Sequence, residues 1–177
     1  MPETDRTFLE HRIPVASHDK QATMTGLQAQ APDAGHEGNT DQTNQGIRAG
    51  ALSADALARR IALSLASNRE GEARRWLFQF VDDFRGSSPG GQVALVQNPP
   101  PLTGDQRYDA AIAALVEHLC AAAHQVPPKW TNEQERFAEP WWFMAEMPGY
   151  RSSALRDSPI SFKRHGVFVT ARAFERV

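Results

Sequence analysis

The stretch from Asp105 to Gln125 reads DQRYDAAIAALVEHLCAAAHQ and predicts the central helix of the domain. Its larger apolar residues recur at steps of three and four, which places them on one face of an α-helix. Alanines fill much of the remaining surface and allow neighbouring elements to approach closely. We expect Thr103 to cap the start of this helix and Pro127 to stop it. The residues of the apolar face are Tyr108, Ile112, Leu115, Val116, Leu119, Cys120 and Ala123.

Length and composition favour one domain preceded by a tail. The chain has 177 residues, of which 41% are apolar, and the large apolar side chains are concentrated after about residue 50. Residues 21–50 are rich in Gln, Ala, Gly, Asn, Thr and Asp, which bury too little surface to offset the entropy lost on ordering. We therefore predict a disordered or weakly ordered tail over residues 1–50 and a single helical domain over residues 51–177. Met24 is an alternative to Met1 as the translation start.

Charge and cysteine content exclude some classes of protein. The net charge of −2 gives no overall electrostatic reason to bind nucleic acid or an acidic membrane. The lone Cys120 excludes an internal disulfide and fits a reducing cytoplasm. No apolar run approaches the roughly 20 residues that cross a bilayer, and the N-terminus lacks the pattern of a secretory signal. We predict a cytoplasmic protein that does not associate with membranes.

Two helices precede the central one. Ser53 is the expected N-cap of a helix that runs to about Ala66, and Asn68 is the expected N-cap of a second helix, Arg69–Arg85. The short connection predicts an antiparallel αα-hairpin. The arginines of the pair interleave with acidic residues, and Asp83 falls on the polar side. This pattern indicates a solvated face rather than a phosphate-binding patch.

Between the hairpin and the central helix, Ser88 followed by Pro89 predicts a short helix through Val96. Prolines 99–101 then form a stiff extended connector. After the central helix, we expect Thr131 or Asn132 to cap a short helix through residue 137.

An aromatic-rich irregular segment follows, in which Trp130, Phe137, Trp141, Trp142 and Phe143 crowd into fourteen residues. Such rings usually seal the core of a small helical domain because each buries a large area. They can instead form a partner-binding surface. The sequence leaves open which of these rings are exposed.

The C-terminal part reads as two short helices and a final extended hook. The first, Tyr150–Asp157, directs Leu155 and Ala154 inward. Ser158 begins the second, and Gly166 is placed to end it in a left-handed conformation. The whole pattern is typical of an all-α protein with minimal strand content.

No catalytic or metal-binding constellation is visible in the sequence. His118 and His124 do not share a helical face, and Cys120 adds no zinc spacing. Side chains two apart on a helix diverge, so His118 and Cys120 do not form a nucleophile and base. We therefore predict no catalytic residue, no metal and no cofactor. An enzyme built on His118 would need a pocket that also holds a second polar group.

The candidate partner-binding residues combine the aromatic segment with the basic C-terminal part, which only a few acidic residues offset. Such a surface suits an acidic partner protein or nucleic acid, while a merely solvated face is the simpler interpretation. The predicted set is Trp141, Trp142, Arg151, Arg156, Lys163 and Arg164.

A series of short motifs runs from Thr103–Ala110 through Val116–His118 and Pro128–Thr131 to Pro140–Phe143 and Arg164–Val169. In these motifs the chain resembles a family of small, largely uncharacterised bacterial helical proteins, over about residues 52–177. The resemblance implies an all-α fold. Family members are often encoded beside nucleotidyltransferase-type toxin-like proteins, which implies an antitoxin or accessory role. No catalytic residue is implied by it.

The leading interpretation is a non-enzymatic protein-binding module, with the resemblance favouring the antitoxin-like partner of a toxin-like enzyme. The alternative is a DNA-binding transcriptional regulator that uses the basic C-terminal surface. Steep salt dependence of DNA binding would distinguish the second from the first.

Overall fold

The computed structural model describes residues 46–145, 147 and 149–174, and this part of the chain is mostly helical, as predicted. The predicted tail up to residue 45 lies outside the described residues. Single turns of 3₁₀-helix complete the architecture at Lys129–Asn132, Gln134–Arg136 and Ala171–Phe174. The helices are α1 Ala54–Ala66, α2 Glu70–Arg85, α3 Pro89–Val96, α4 Gln106–Ala122, α5 Tyr150–Asp157 and α6 Ile160–Arg164, and the strands are β1 Trp142–Phe143 and β2 Val167–Phe168.

Helix α4 is the predicted central helix, and it is buried on nearly every side. Twelve of its 17 residues are buried, including four alanines. It packs against α1, α2, α6, strand β2 and the first two 3₁₀ turns. The alanines are therefore contact positions, because a methyl group lets several elements approach one helix together.

The start of α4 differs from the prediction. Asp105, not Thr103, is the N-cap, because its short carboxylate accepts the Arg107 N–H at 2.9 Å. Thr103 lies two residues earlier and donates its own N–H to Asp109 Oδ1 at 2.7 Å. The helix ends at Ala122, earlier than Gln125.

Helices α1 and α2 form the predicted hairpin. They run antiparallel, since Trp76 bonds to Ser64 near the turn while the Leu52 N–H reaches Asp83 at the far end. Ser53 caps α1 as predicted. The prediction for Asn68 was wrong: its φ of +54° belongs to the turn that leaves α1, and α2 begins without a side-chain cap.

The prediction that Asp83 lies on a solvated face was also wrong, because Asp83 is 2% exposed. Its carboxylate accepts the Leu52 N–H and the Gln79 side-chain amide, each at 2.9 Å, and it pairs with Arg48. These contacts attach the segment before α1 to α2. The division into a tail and a domain at residue 50 stays a prediction.

Helix α3 and the proline connector have the predicted form. The Ser88 hydroxyl accepts the Gly91 N–H at 3.2 Å, with Pro89 at the first helical position. After the connector and α4, the structure forms two 3₁₀ turns instead of a helix capped by Thr131 or Asn132. Thr131 is fully buried and its hydroxyl turns back to the Pro128 carbonyl at 2.9 Å.

The two short strands pair in parallel, with Trp142 opposite Val167 and Phe143 opposite Phe168. The Trp142 N–H donates to Gly166 O at 2.8 Å, which begins the ladder. Gly166 has a φ of +71°, as its predicted helix-ending role requires. A side chain there would meet a backbone carbonyl at 2.5 Å, so this position accommodates only glycine.

The C-terminal helices differ from the prediction at two residues. Leu155 is 45% exposed, so only Ala154 of α5 points fully inward. Ser158 does not cap α6, because its hydroxyl bonds both backbone groups of Val169, at 2.6 and 2.8 Å. It thereby fixes the end of the extended segment to the start of α6. None of the helices in the described part of the chain is long and apolar enough to traverse a bilayer.

Candidate functional site

The six predicted partner-binding residues do not form one patch. They divide among three places in the structure: the outer face of the two-stranded ladder, its inner face, and the helices α5 and α6. Alternation along β1 causes the first division, because successive side chains of a strand point to opposite faces.

The outer face of the ladder carries a contiguous row of three rings and one cation, which we name the Trp141 face. Trp141 and Phe143 each contact Phe168, with ring centroids 5.2 and 5.0 Å apart. The Arg151 guanidinium lies 5.2 Å from the Phe143 ring, a cation–π distance. Trp141 itself is 66% exposed. Because Phe168 is 4% exposed, the accessible part of this face is the Trp141 ring, part of the Phe143 ring and one cation.

Trp142 lies on the opposite face and is half-buried. Its ring packs on Tyr108 at 5.1 Å, and the Arg107 guanidinium lies 5.4 Å from it. Arg107 also binds Asp105, and its guanidinium lowers the pKa of that carboxyl. Burial raises the pKa of the Tyr108 hydroxyl. Trp142 therefore belongs to the packing between the ladder and α4, not to the Trp141 face.

Arg156 and Lys163 lie together away from the rings. Arg156 pairs with Asp157 at 2.8 Å, and its hydrogen bond lowers the pKa of that carboxyl. The Lys163 ammonium donates to the Arg156 carbonyl at 2.9 Å. These contacts join the end of α5 to α6.

Arg164 leads from the surface into a cluster of buried polar side chains that the sequence did not indicate. Its guanidinium is half exposed, contacts Asn132, and donates to Glu117 Oε1 at 2.7 Å. Glu117 is 7% exposed and also faces the Thr131 hydroxyl at 3.2 Å. The members of this buried polar cluster are Asp109, Glu117, Thr131, Arg136, Arg164 and His165.

His165 is the most enclosed member of the cluster. Its Nδ1 lies 2.7 Å from the Arg136 carbonyl, and since a carbonyl only accepts, Nδ1 carries the hydrogen. Its Nε2 lies 3.3 Å from Glu117 Oε2, within ionic reach but without the alignment of a hydrogen bond. That contact is attractive when the imidazole carries both hydrogens. The ring also stacks on Phe137 at 4.6 Å.

Arg136 extends the cluster toward the start of α4. It is 2% exposed, donates to the Pro100 carbonyl and lies 3.9 Å from Asp109. Burial raises the pKa of the Asp109 carboxyl, and the hydrogen bond from the Thr103 N–H opposes that rise. A carboxylate and a guanidinium so deeply buried are held because each has the other close by.

The cluster contains acid and base groups, yet His165 and Thr131 have no exposed surface. Its contacts join chain segments that are far apart in the sequence. Glu117 comes from α4, Thr131 from a 3₁₀ turn, and His165 from the residue before Gly166. The cluster thereby holds the residue that precedes Gly166, and Gly166 accepts the first hydrogen bond of the ladder from Trp142.

Cys120 lies in the core of α4, as predicted. Burial raises the pKa of its thiol to about 11, which keeps it protonated at neutral pH. His118 packs its edge on Phe162 at 5.9 Å. Within the described residues, no three potential ligands among His, Cys, Asp and Glu are grouped for a metal ion.

A separate apolar groove of about 370 Å³ lies between α1 and the proline connector. Leu63 and Leu102 are exposed at its rim, and Arg59 is its one charged residue. Arg59 pairs with Asp55 at 3.0 Å. The groove is apolar and His118 does not line it.

Searches with this chain found no matching protein-family model, curated protein or solved structure.

Proposed function

We propose that this chain is a protein-binding module and that the Trp141 face is its contact surface. One observation carries the proposal: Trp141 is 66% exposed and rests on a ladder whose position is fixed. A tryptophan buries a large area when a partner covers it, and it is enriched among the residues that dominate binding energy.

The other tryptophans supply the contrast. Trp130 is core, with its indole N–H bonded to the Val96 carbonyl at 2.8 Å. Trp142 packs on Tyr108, and Trp76 donates to Ser64. Only Trp141 leaves most of its ring to solvent, so within the described residues it is the tryptophan available to anchor a partner.

The buried polar cluster supports the same proposal. A binding face gains affinity when its side chains are held in place before the partner arrives. Arg136 O and Glu117 contact His165, whose own carbonyl accepts the Ala138 N–H at 2.9 Å, and the next residue, Gly166, accepts the Trp142 N–H at 2.8 Å. The cluster therefore pre-orients Trp141 without taking part in the contact.

The finer proposal is that the module is the antitoxin-like partner of a toxin-like enzyme encoded beside it. Its support is the resemblance of the motifs quoted above to small helical proteins with such neighbours. The DNA-binding alternative has less support, because Arg156 and Arg164 are already paired with Asp157 and Glu117. Two arginines of the α1–α2 hairpin are likewise engaged: Arg59 pairs with Asp55, and Arg60 lies over the Trp76 ring.

The test is quantitative recovery of partners from the native cell with three tagged forms of the full chain. Wild type and Val126→Ala should retain one protein in stoichiometric amount, and Trp141→Ala should lose it. Val126 is the matched control, since it is a fully solvated apolar residue outside the ring contacts. Equal recovery by Trp141→Ala, or recovery of nucleic acid alone by wild type, would refute the proposal.

The antitoxin arm needs its own experiment. Expression of the neighbouring gene alone should arrest growth, and co-expression of this chain should restore it. Co-expression of Trp141→Ala should not. If Trp141→Ala restored growth, the antitoxin role would not depend on the Trp141 face.

A further inference from the structure

From the chemistry of the Trp141 face, we infer that it binds an acidic segment of its partner, one that places an apolar side chain between carboxylates. The inference rests on the proposed function and specifies the partner's chemistry. It follows from three properties of the face: its polar groups only donate, its rings are contiguous, and the surrounding charge is positive.

The polar groups of the face are the Trp141 indole N–H and the Arg151 guanidinium, and neither group can accept a hydrogen bond. Among the described residues, Arg151 has no carboxylate partner and lies over the Phe143 ring. A partner that satisfies both groups must offer acceptors. A carboxylate is the best match, because it accepts two parallel bonds from one guanidinium.

The rings define the second requirement. Trp141 and Phe143 each contact the Phe168 ring, which is 4% exposed, so the apolar surface open to a partner is the Trp141 ring and part of the Phe143 ring. Covering this row with charged groups alone would leave apolar area in water. An aliphatic or aromatic side chain of the partner must therefore lie on the rings, close to the carboxylates that reach Arg151.

The distribution of charge favours an acidic partner over a basic one. Residues 46–140 carry ten Lys and Arg against eleven Asp and Glu. Residues 141–177 carry six Lys and Arg against three Asp and Glu. The part of the chain that bears the Trp141 face therefore has a net positive charge, while residues 46–140 do not. Such asymmetry steers an oppositely charged segment toward the face.

A single-stranded nucleic acid also offers acceptors and stacking bases, yet the face fits it less well. Binding along a phosphate backbone uses several cations, each of which neutralises one phosphate. The row itself supplies one, Arg151, because Arg156 and Arg164 are held by Asp157 and Glu117. An acidic peptide needs only one such contact together with its apolar anchor.

The test uses the full chain and fluorescein-labelled peptides of about twelve residues in a fluorescence anisotropy titration at low salt. One peptide carries two leucines among Asp and Glu, a second replaces the acids with Lys, and a third replaces the leucines with Gly. The first should bind about tenfold more tightly than either of the others, or better. Added salt should weaken its binding, because the Arg151 contact is exposed.

Two pairs of variants locate the binding. Trp141→Ala and Arg151→Ala should each lower the affinity for the first peptide by about tenfold. Val126→Ala and Arg75→Ala should leave it unchanged, since these side chains are also exposed and lie outside the Trp141 face. Circular dichroism of each variant confirms that the fold is retained.

The inference is overturned if the first peptide does not bind, if the Lys peptide binds as tightly, or if Arg75→Ala weakens binding as much as Arg151→Ala. Tighter Trp141-dependent binding of a single-stranded oligonucleotide or of phosphatidylserine vesicles overturns it as well. The proposed function is refuted by a different result, namely that wild type and Trp141→Ala recover the same amount of the partner protein from cells. If Trp141→Ala loses the protein recovered from cells but the acidic peptide does not bind, the proposed function stands. Only the inference that the partner segment is acidic is then wrong.

Discussion

The buried polar cluster makes a sharp prediction, because its central carboxylate and its surface cation should contribute very differently to stability. Glu117 is 7% exposed and receives three contacts: Arg164 at 2.7 Å, Thr131 at 3.2 Å and His165 at 3.3 Å. In Glu117→Ala, Thr131 keeps the Pro128 carbonyl as its acceptor and His165 keeps the Arg136 carbonyl, while the half-exposed Arg164 turns to water. We expect the free energy of unfolding to fall by about 1.5–3 kcal/mol, the usual contribution of hydrogen bonds to a charged group.

Arg164→Ala removes the other end of the same ion pair, but at a side chain that is 49% exposed. Water screens and replaces this contact, so the expected loss is about 0–1 kcal/mol. Urea titrations followed by circular dichroism measure both values, with Glu135→Ala as an exposed control expected to change stability by less than about 0.5 kcal/mol. A loss below about 1 kcal/mol for Glu117→Ala, or equal losses for the two variants, would refute the assignment of Glu117 as the centre of the cluster.

Three further predictions follow from particular residues. Trp130→Ala should lower stability by about 3–5 kcal/mol, while Trp141→Ala changes it by less than about 0.5 kcal/mol in the same urea titration, because only the first ring is buried. Gly166→Ala should destabilise by more than Gly149→Ala in thermal unfolding; both have positive φ, but only Gly166 meets a backbone carbonyl, so equal losses would contradict the packing. The Cys120 thiol should react with a disulfide reagent at pH 8 about 100-fold more slowly than in urea, since burial raises its pKa from 9.0 to about 11. Because the folded thiol holds its proton more tightly than the unfolded one, stability should fall as pH rises from about 9 to about 11, and Cys120→Ala should reduce that fall in urea titrations at the two pH values.

The helical part of this fold was predictable from local signals. Apolar periodicity located α1, α2 and α4, and Ser88 followed by Pro89 located α3. These signals act within one or two turns, so the sequence displays them directly. The errors at Thr103 and Ser158 share one cause, because each hydroxyl has the chemistry of a cap but bonds elsewhere: Thr103 to the backbone of Asp105, and Ser158 to the backbone of Val169. Asn68 instead adopts the left-handed φ of the turn that leaves α1.

The site was less predictable, because its decisive contacts join residues far apart in the chain. Glu117 and Arg164 are 47 residues apart, and each looks like an ordinary surface charge in its own window. One signal was present: Glu117 occupies a helix whose other faces are filled with alanine, which leaves it no solvated side. For the aromatic segment, period-two alternation through Trp141, Trp142 and Phe143 separates the exposed ring from the packed one once a strand is assumed.

The most direct test of the central claim is photo-crosslinking in the native cell from a benzoyl-phenylalanine placed at position 141. We predict one protein adduct formed from position 141, and none from the same probe at position 126, which is an exposed apolar position outside the Trp141 face. Adducts of equal yield from both positions, or no protein adduct from position 141, would contradict the assignment of this face as the partner-binding surface.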